Sequence, residues 1–457
     1  MQLYTYIRSL IQDGAIKDGE KLPSIRSLKG QLNISKTTIE TAYHMLLEEG
    51  YVFSKQRSGL IVVNPLLPQP ANRSASLNEP TGSDLSRTQV DNKDHIDFNL
   101  LTVDGESFPI RIWKSIIGES LSNHCQFIHQ YGESHGEYSL RESISTYLRN
   151  SRGVTCSPEQ IVIGSGISYS VQLLSRLIGE RSFIGIEKHG IAQVRQVFSQ
   201  NNFHLIPISM HDDQHFENVL TKNKINILYV TPSHRPTGSP LPFGKRQEML
   251  QWAYKNNGYI IEDDYDGELR LSGKPVPSLQ GLDKNGVVIY IGTFSKVFTP
   301  ALRLNYMILP PSLLEKLQNL DYILSGPSRI DQWAMQLFIS RGHWYRHLRR
   351  MRKLYRIKHD FLVQLLHRHL PASVRVEFSG SGLHIELSIT TKISTEKLIE
   401  LARNEGVLVY GGQDAQTHSD QNEAKIYLGF GGIKEKDMER GVLLLKKAWS
   451  EVLNIEV

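Results

Sequence analysis

Val287-Val288-Ile289-Tyr290-Ile291-Gly292-Thr293-Phe294-Ser295-Lys296 is an apolar run that ends in two hydroxyls and a lysine. Just upstream, Gly258-Tyr259-Ile260-Ile261 runs into Glu262-Asp263-Asp264-Tyr265-Asp266, a second apolar run with a polar end. Short apolar runs bounded by polar or glycine residues read as buried strands. Gln160-Ile161-Val162-Ile163, Ser182-Phe183-Ile184-Gly185-Ile186 and Ile225-Asn226-Ile227-Leu228-Tyr229-Val230 repeat the pattern, and crossover helices fill the stretches between them. From Phe98 onward the chain therefore predicts an α/β domain with a mainly parallel sheet.

A lysine at a strand end, with hydroxyls before it and a strand-end acid cluster and tyrosine upstream, reads as a pyridoxal phosphate site. The amine would hold the aldehyde as an imine, an aspartate would keep the pyridine nitrogen protonated, and the hydroxyls would take the phosphate. Two plainer readings compete. Lys296 could be a surface lysine, and the acids could hold a divalent ion, since strand-end carboxylates suit magnesium. The other motifs beside the lysine argue against the first, and the lack of a nucleotide loop argues against the second, so no metal is expected. Gly164-Ser165-Gly166-Ile167-Ser168 ends an earlier strand and opens a helix marked by Val171, Leu174, Leu177 and Ile178. Backbone amides at such a helix start can hold a phosphate. A glycine pair alone is more often a tight turn; its weight here comes from the acids, from Thr293 to Lys296, and from Arg303 seven residues past the lysine.

Residues 1–63 have a different pattern. Leu3, Tyr6, Ile7, Leu10 and Ile11 recur at helical spacing as one buried face, and Gly14 and Gly19 break the chain after them. Leu22-Pro23-Ser24 supplies an extended entry and a cap for a short second helix carrying Ile25, Leu28 and Leu32, closed by Asn33. Ser35 caps a third helix, in which Ile39, Ala42, Tyr43, Leu46 and Leu47 face inward while Lys36, Thr37, Glu40, Thr41 and His44 face out. Tyr51 to Val63 alternates or runs apolar around a polar, glycine-containing tip, as a β-hairpin would. This is the winged helix-turn-helix order, mainly α with a β-wing. In that geometry the start of the third helix enters the major groove, so Lys36, Thr37 and Thr38 are the expected DNA contacts. A small helical adaptor with a solvated polar face is the bland alternative. Pro65-Leu66-Leu67-Pro68-Gln69-Pro70 and the Ser, Asn, Asp and Thr-rich run after it show no apolar period and predict a linker over 64–96. Residues 97–457 then form an effector body, with a smaller subdomain over about 340–457.

Composition sets the outer bounds. At 457 residues and 40% hydrophobic, the chain is too long for one ordinary domain and rich enough for a large core. A net charge of +5 permits nucleic-acid binding without demanding it. Two cysteines, Cys125 and Cys156, make no disulfide framework or zinc array and fit a reducing compartment. The amino terminus does not read as a leader, and no apolar stretch approaches the ~20 residues of a membrane span, so the cytoplasm is expected and membrane contact is not.

Leu22-Pro23-Ser24 with Arg26, Ser35-Lys36-Thr37-Thr38-Ile39, Ala42-Tyr43, Leu46 and Glu49-Gly50-Tyr51 resemble the GntR-type DNA-binding domain. The resemblance implies DNA contacts from Arg26, Lys36, Thr37 and Thr38, with Lys55 or Arg57 on the wing. Lys29 departs from the small alanine usual at its place. Phe108-Pro109 with Trp113, Tyr131-Gly132-Glu133-Ser134-His135-Gly136 with Leu140-Arg141, Thr231 to Gly238, the acid run and Thr293 to Lys296 resemble, in order, the landmarks of fold-type I aminotransferases over about residues 98–450. A GntR-like reader ahead of such a body resembles the MocR/GabR transcriptional regulators. What this implies is a pyridoxal 5'-phosphate transferase fold, with a mainly parallel large domain and a small C-terminal α+β subdomain. Lys296 would form the internal aldimine, Asp263 would meet the pyridine nitrogen and Tyr265 the phenolic oxygen. Gly166, Ile167, Ser168, Thr293, Ser295 and Arg303 would serve the phosphate. A head-to-tail homodimer is implied, with Tyr131 reaching the neighbour's phosphate and two heads reading promoter DNA.

The departures bear on mechanism. Ile191 and Gln193 occupy places where relatives carry a ring-stacking tyrosine and, in some, an arginine. Gly432 stands where a bidentate arginine holds the substrate carboxylate, and glycine cannot replace a guanidinium fork. The His234-Arg235-Pro236 segment is one residue shorter than usual. The cofactor anchor is left intact, and transamination is expected to be residual at most. The expected function is a DNA-binding regulator that senses pyridoxal phosphate itself, or an amine or amino acid reacting with it, through Lys296, with Arg235 as one group that could hold the effector. The rivals are a working aminotransferase with an appended DNA-binding block, and a regulator whose cofactor site is vestigial. Arg346 to Arg356 reads as the solvated face of an amphipathic helix, with a second DNA-binding strip as the other reading.

Overall fold

A computed structural model of the chain describes residues 2–49, 51–55, 59–63, 95–179, 182–187, 192–209, 216–231, 241–271, 277–320, 326–377, 380–411 and 423–453. The chain divides into two units, 1–88 and 89–457. The smaller contains α1 (Gln2–Gln12), α2 (Ile25–Leu32), α3 (Lys36–Glu48), β1 (Val52–Lys55) and β2 (Gly59–Val62). Its helix ends follow the short polar side chains. Ser24 Oγ accepts from Ser27 N at 3.2 Å, Ser35 Oγ accepts from Thr38 N at 3.1 Å, and Asn33 closes α2 in the left-handed conformation at φ 52°. Tyr4, Ile7, Ile11, Leu22, Ile39, Ala42, Tyr43, Leu46, Val52 and Val62 make one core. Leu10 is half-buried outside it, and three other expected core residues are exposed. Tyr6 is 63% exposed, its place taken by Tyr4, whose ring joins the Ile7–Ile11 stripe while its hydroxyl donates to Glu49; Leu32 and Leu47 sit at helix ends, 49% and 39% exposed. The wing is an antiparallel pair with Val52 opposite Val62 and Lys55 opposite Gly59. Its tip, with Arg57, and the side chain of Lys55 lie outside the described residues.

The larger unit opens with β3 (Ile96–Asp97), α4 (Ile110–Asn123) and α5 (Tyr138–Arg152). Strands and helices then alternate: β4 (Ile161–Gly164), α6 (Ile167–Ile178), β5 (Phe183–Glu187), α7 (Ala192–Gln200), β6 (His204–Ile208), α8 (Phe216–Lys222), β7 (Ile227–Val230), α9 (Phe243–Lys255), β8 (Tyr259–Asp264), α10 (Leu279–Leu282), β9 (Val288–Thr293) and β10 (Asn305–Ile308). They form one seven-stranded sheet in the order β4-β10-β9-β8-β7-β5-β6, in which β10 alone runs against its neighbours. Strands β4, β7 and β9 have no residue turned to water apart from the edge of Thr293, as a sheet covered by helices on both faces requires.

α11 (Pro311–Gln318), α12 (Arg329–Ser340) and the long α13 (His343–His369) lead to a second, antiparallel layer. That layer comprises β11 (Val374–Glu377), β12 (His384–Thr390), α14 (Thr395–Asn404), β13 (Val407–Leu408), β14 (Tyr410–Gly411), β15 (Glu423–Gly429) and α15 (Glu435–Leu453), with sheet order β11-β12-β15-β14. β3 does not join the large sheet. It pairs in parallel with β13, Ile96 beside Val407 and Asp97 beside Leu408. Phe98 is fully buried next to it, against Gly441 of α15. Among the described residues no helix is long and apolar enough to cross a membrane.

Candidate functional site

β8 continues through the acids rather than stopping before them, and its pleat sorts them by face. Glu262 and Asp264 point to one side. Glu262 accepts from the amides of Leu279 and Gln280 at 2.6 and 2.9 Å, capping α10. Asp264 receives the Arg152 guanidinium at 2.7 and 3.1 Å and the Tyr290 hydroxyl at 2.6 Å. These two carboxylates are thus committed to the scaffold. Asp263, between them, points to the other side, where it accepts from the Tyr229 hydroxyl at 2.5 Å and is only 3% exposed. Among the described residues no group of three or more histidine, cysteine, aspartate or glutamate side chains is placed to hold a metal ion.

Burial acts on the scaffold acids. It pushes the carboxyl of Glu262 up to about 7, with the charge of Asp264 adding to it. Glu268, which accepts from the Tyr147 hydroxyl at 3.0 Å, is likewise pushed up to about 7 by burial and then by Asp264.

Lys296 lies three residues beyond the end of β9, half-buried, with Nζ 3.4 Å from the carbonyl oxygens of Leu100 and Leu101. In the turn before it, the Thr293 hydroxyl accepts from Ser295 N and donates to Ser295 Oγ, both at 3.1 Å. Tyr265 is 9% exposed immediately after β8. The reversed strand β10 ties these parts to the glycine turn, because Asn305 sits opposite both Thr293 of β9 and Gly164 of β4. Its Oδ1 accepts from Gly166 N at 2.8 Å and its Nδ2 donates to Ser170 Oγ at 2.7 Å, which fixes the turn into α6.

Gly166 is required there on two grounds. Its φ is +122°, and a Cβ would lie 2.3 Å from Nη2 of Arg303. That guanidinium is therefore laid along the turn, while Arg303 itself is left-handed at φ 52°. A helix start with Ile167 and Ser168, a guanidinium and two hydroxyls at neighbouring strand ends make a donor set that fits a phosphate. The buried acid beside them fits the nitrogen of a protonated pyridine.

Sequence reasoning had no hold on Tyr229 or Asn305 as site residues. Tyr229 looks like an ordinary strand aromatic; Asn305 did carry a signal, being a lone amide in the apolar run Leu304 to Leu309. Gln193 donates through Nε2 to Ser168 Oγ at 2.5 Å, so it serves the glycine turn. Gly432 has a packing reason: a Cβ would lie 2.5 Å from Thr102 Oγ1, which stands where a longer side chain would need to pass. Ile191 and the His234-Arg235-Pro236 segment lie outside the described residues. Tyr131 is fully exposed on the single chain.

In the smaller unit, Arg26, Lys29, Lys36, Thr37 and Thr38 are all exposed. Lys36 pairs with Glu40 at 3.2 Å, and the Thr38 hydroxyl is 2.7 Å from Ser35 Oγ within the cap. Thr37 keeps its side chain outward at the start of α3.

Residues 99–425 match the aminotransferase class I and II family, and residues 1–62 match the gntR family of bacterial regulatory proteins. The chain is 31% identical over 467 residues to the probable rhizopine catabolism regulatory protein MocR of Rhizobium meliloti, covering 98% of this chain and 93% of that one. It is 30% identical over 394 residues to the HTH-type pyridoxine biosynthesis transcriptional regulator PdxR of Corynebacterium glutamicum, covering 84% and 82%. Among solved structures, the α-aminoadipate aminotransferase LysN of Thermus thermophilus, complexed with N-(5'-phosphopyridoxyl)-L-leucine, aligns at TM-score 0.68 and 25% identity over 79% of this chain and 94% of its own.

Proposed function

Because the chain belongs to the aminotransferase class I and II family and to the GntR-headed regulators of MocR and PdxR type, we propose that it reports what is bound at Lys296 to the DNA held by its amino-terminal unit. It is a pyridoxal phosphate-dependent transcriptional regulator; how it senses is the proposal. When bound, pyridoxal phosphate supplies an aldehyde that amines can reach and an electron-poor ring. Lys296 is the residue that holds the aldehyde carbon. Asp263, oriented by Tyr229, keeps a proton on the pyridine nitrogen, and Tyr265 serves the phenolic oxygen. Gly166, Ile167, Ser168, Thr293, Ser295 and Arg303 hold the phosphate.

The observation that supports this reading is that Asn305 sits opposite both Thr293, at the end of the strand leading to Lys296, and Gly164, at the start of the Gly166–Arg303 turn, with the buried Asp263 on the strand beside Ile291. The effector is pyridoxal phosphate itself or an amine or amino acid that competes for the same carbon. The relative named for pyridoxine biosynthesis supports the first. Gly432 packed on Thr102 leaves no guanidinium there for an α-carboxylate, so transamination is residual at most.

The working form is a head-to-tail homodimer in the cytoplasm. Its support is a set of exposed apolar side chains, Ile110 and Ile112 at the start of α4 and Phe127 and Ile128 beyond its end, the latter shortly before the fully exposed Tyr131, which would reach the neighbour's phosphate. The ligand can alter promoter binding only as far as it favours one arrangement of the dimer over another.

The test is a mobility shift on the upstream region of the protein's own gene, with and without pyridoxal phosphate, using wild type and Lys296→Ala. Borohydride treatment followed by peptide mass mapping runs in parallel. The expected outcome is a pyridoxyl-phosphate mass on the peptide containing Lys296 and a shift that responds to cofactor in wild type alone. A shift indifferent to both cofactor and substitution removes the sensing role.

A further inference from the structure

α13 carries one acid, Asp360, against a run of arginines and lysines over its 27 residues. Some of the cations are consumed by the fold. Arg352 Nε donates to the carbonyl of Glu268 at 2.6 Å, Arg350 donates to the carbonyl of Ser107, and Lys358 is buried against Asp104 at 2.8 Å. Arg346, Arg349, Lys353 and Arg356 are all exposed and spaced i, i+3, i+7, i+10, so they stand on one face; Arg368, also exposed, lies about three turns further along. Arg346 and Arg356 touch only backbone carbonyls and a histidine ring, at Arg341, His343 and Leu271. Among the described residues, none of these four cations is paired with a carboxylate.

Elsewhere on the same unit several surface cations are neutralised, while others, such as Arg111, Lys114 and Lys316, are exposed but form no such row. Arg341 meets Glu119, Arg375 meets Glu423, Lys397 meets Glu400, Lys434 meets Glu106 and Lys447 meets Glu405. A bare row of like charges at helical neighbour spacing works against the helix that bears it. An external polyanion would relieve that repulsion.

The apolar side of α13, with Trp344, Leu348, Met351, Tyr355 and Leu362, is buried in the core, and Ile357 alone among its described large apolar residues is exposed, too little for a lipid surface. From Arg346 to Arg356 the row runs about 15 Å at 1.5 Å per residue. Along a duplex axis, that length carries about four phosphates of each strand, one per ~3.4 Å of rise. Residues 64–94 tether this unit to one that binds DNA, so duplex held by the head is presented to the body at the raised local concentration of a linked site.

We propose that the Arg346–Arg349–Lys353–Arg356 face of α13 is a second, sequence-independent DNA contact that grips phosphates flanking the segment read by the winged unit. This rests on the regulator reading above.

The experiment uses the full chain and the double variant Arg349→Glu with Lys353→Glu, two exposed side chains with no carboxylate partner among the described residues. Fluorescence anisotropy is measured on two duplexes from the upstream region, one trimmed to the shortest length wild type binds and one extended on both sides, across a salt series. Wild type is expected to bind the long duplex more tightly, with a steeper salt dependence. The double variant is expected to lose about two units of that slope, about 0.9 per phosphate contact, and at least about tenfold of long-duplex affinity, while its binding to the short duplex stays within about twofold of wild type. Equal affinities and equal slopes for both proteins on both duplexes overturn the proposal. Wild type that binds neither duplex overturns the regulator reading itself, a separate result. Thermal melting at the wild-type temperature verifies that the variant is folded.

Discussion

Gly166 shows how much of the site rests on one absent side chain. Its backbone is in a region closed to L residues, and its Cα faces the Arg303 guanidinium with no room between. Gly166→Ala is expected to weaken pyridoxal phosphate binding by about tenfold or more, the worth of a displaced charge-assisted hydrogen bond, as read by fluorescence titration. Unchanged affinity would mean that the phosphate is held elsewhere.

Glu268 carries a pH signature. Its folded-state carboxyl stands at about 7 against an ordinary 4.5, so the folded protein holds the proton more tightly than the unfolded chain does. The stability this contributes is complete below pH 4.5 and is lost as pH rises through about 7. Relative to wild type, Glu268→Gln should therefore gain thermal stability as the pH goes from about 5 to about 8, since glutamine keeps an acceptor for Tyr147 and never ionises. Comparing the two proteins removes the opposing effect of His347, whose pKa burial lowers. Parallel melting curves across that range would contradict the assignment.

What could be read at this scale followed from incongruity. Lys296, Asp263 and Gly166 stood out as polar or flexible residues at the ends of apolar runs. Tyr229 did not, because a tyrosine in a strand is ordinary until its hydroxyl is seen to meet a carboxylate 34 positions away.

Among elements, the helix boundaries of the smaller unit were the most legible, since Ser24, Asn33 and Ser35 act through their own local hydrogen bonds. Removing one should matter. Ser35→Ala is expected to cost about 1 kcal/mol and to speed amide exchange over the first turn of α3 by about fivefold, with weaker DNA binding as a consequence. Exchange unchanged at Lys36 to Thr38 would show that the cap contributes nothing.

The inward faces were less legible, because Tyr4 and Tyr6 are both aromatic and only packing decides between them. In the larger unit, β6 and β10 escaped notice. His204-Leu205-Ile206-Pro207-Ile208 contains a proline that reads as a breaker and is tolerated because β6 is an edge strand, while β10 opens with a buried asparagine. The order of strands in the sheet was beyond sequence reasoning altogether, since it depends on pairings between residues far apart in the chain.

For the whole molecule, the two-unit division follows from a change of composition that any reading of the chain meets at Pro65. In the proposed dimer, the exposed apolar side chains at the two ends of α4 would form the seam. Phe127→Asp combined with Ile128→Asp is expected to yield a monomer by sedimentation at concentrations where wild type is a dimer, and to weaken binding to promoter DNA because the two heads no longer act together. A variant that sediments with wild type would place the contact on another face.

Residues 96–98 are hydrogen-bonded to the antiparallel layer near the carboxy terminus. Ile96 N donates to Gly406 O at 2.9 Å, Phe98 N to Leu408 O at 3.0 Å and Gly429 N to Phe98 O at 2.8 Å, and the Tyr410 hydroxyl donates to Asp97 at 2.6 Å. Residues 96–98 are thus fastened to the antiparallel layer, while Leu100 and Leu101, a few positions on, meet the lysine beyond the end of β9. One short stretch of chain is moored at both ends, so a slip of one layer past the other would be felt along it.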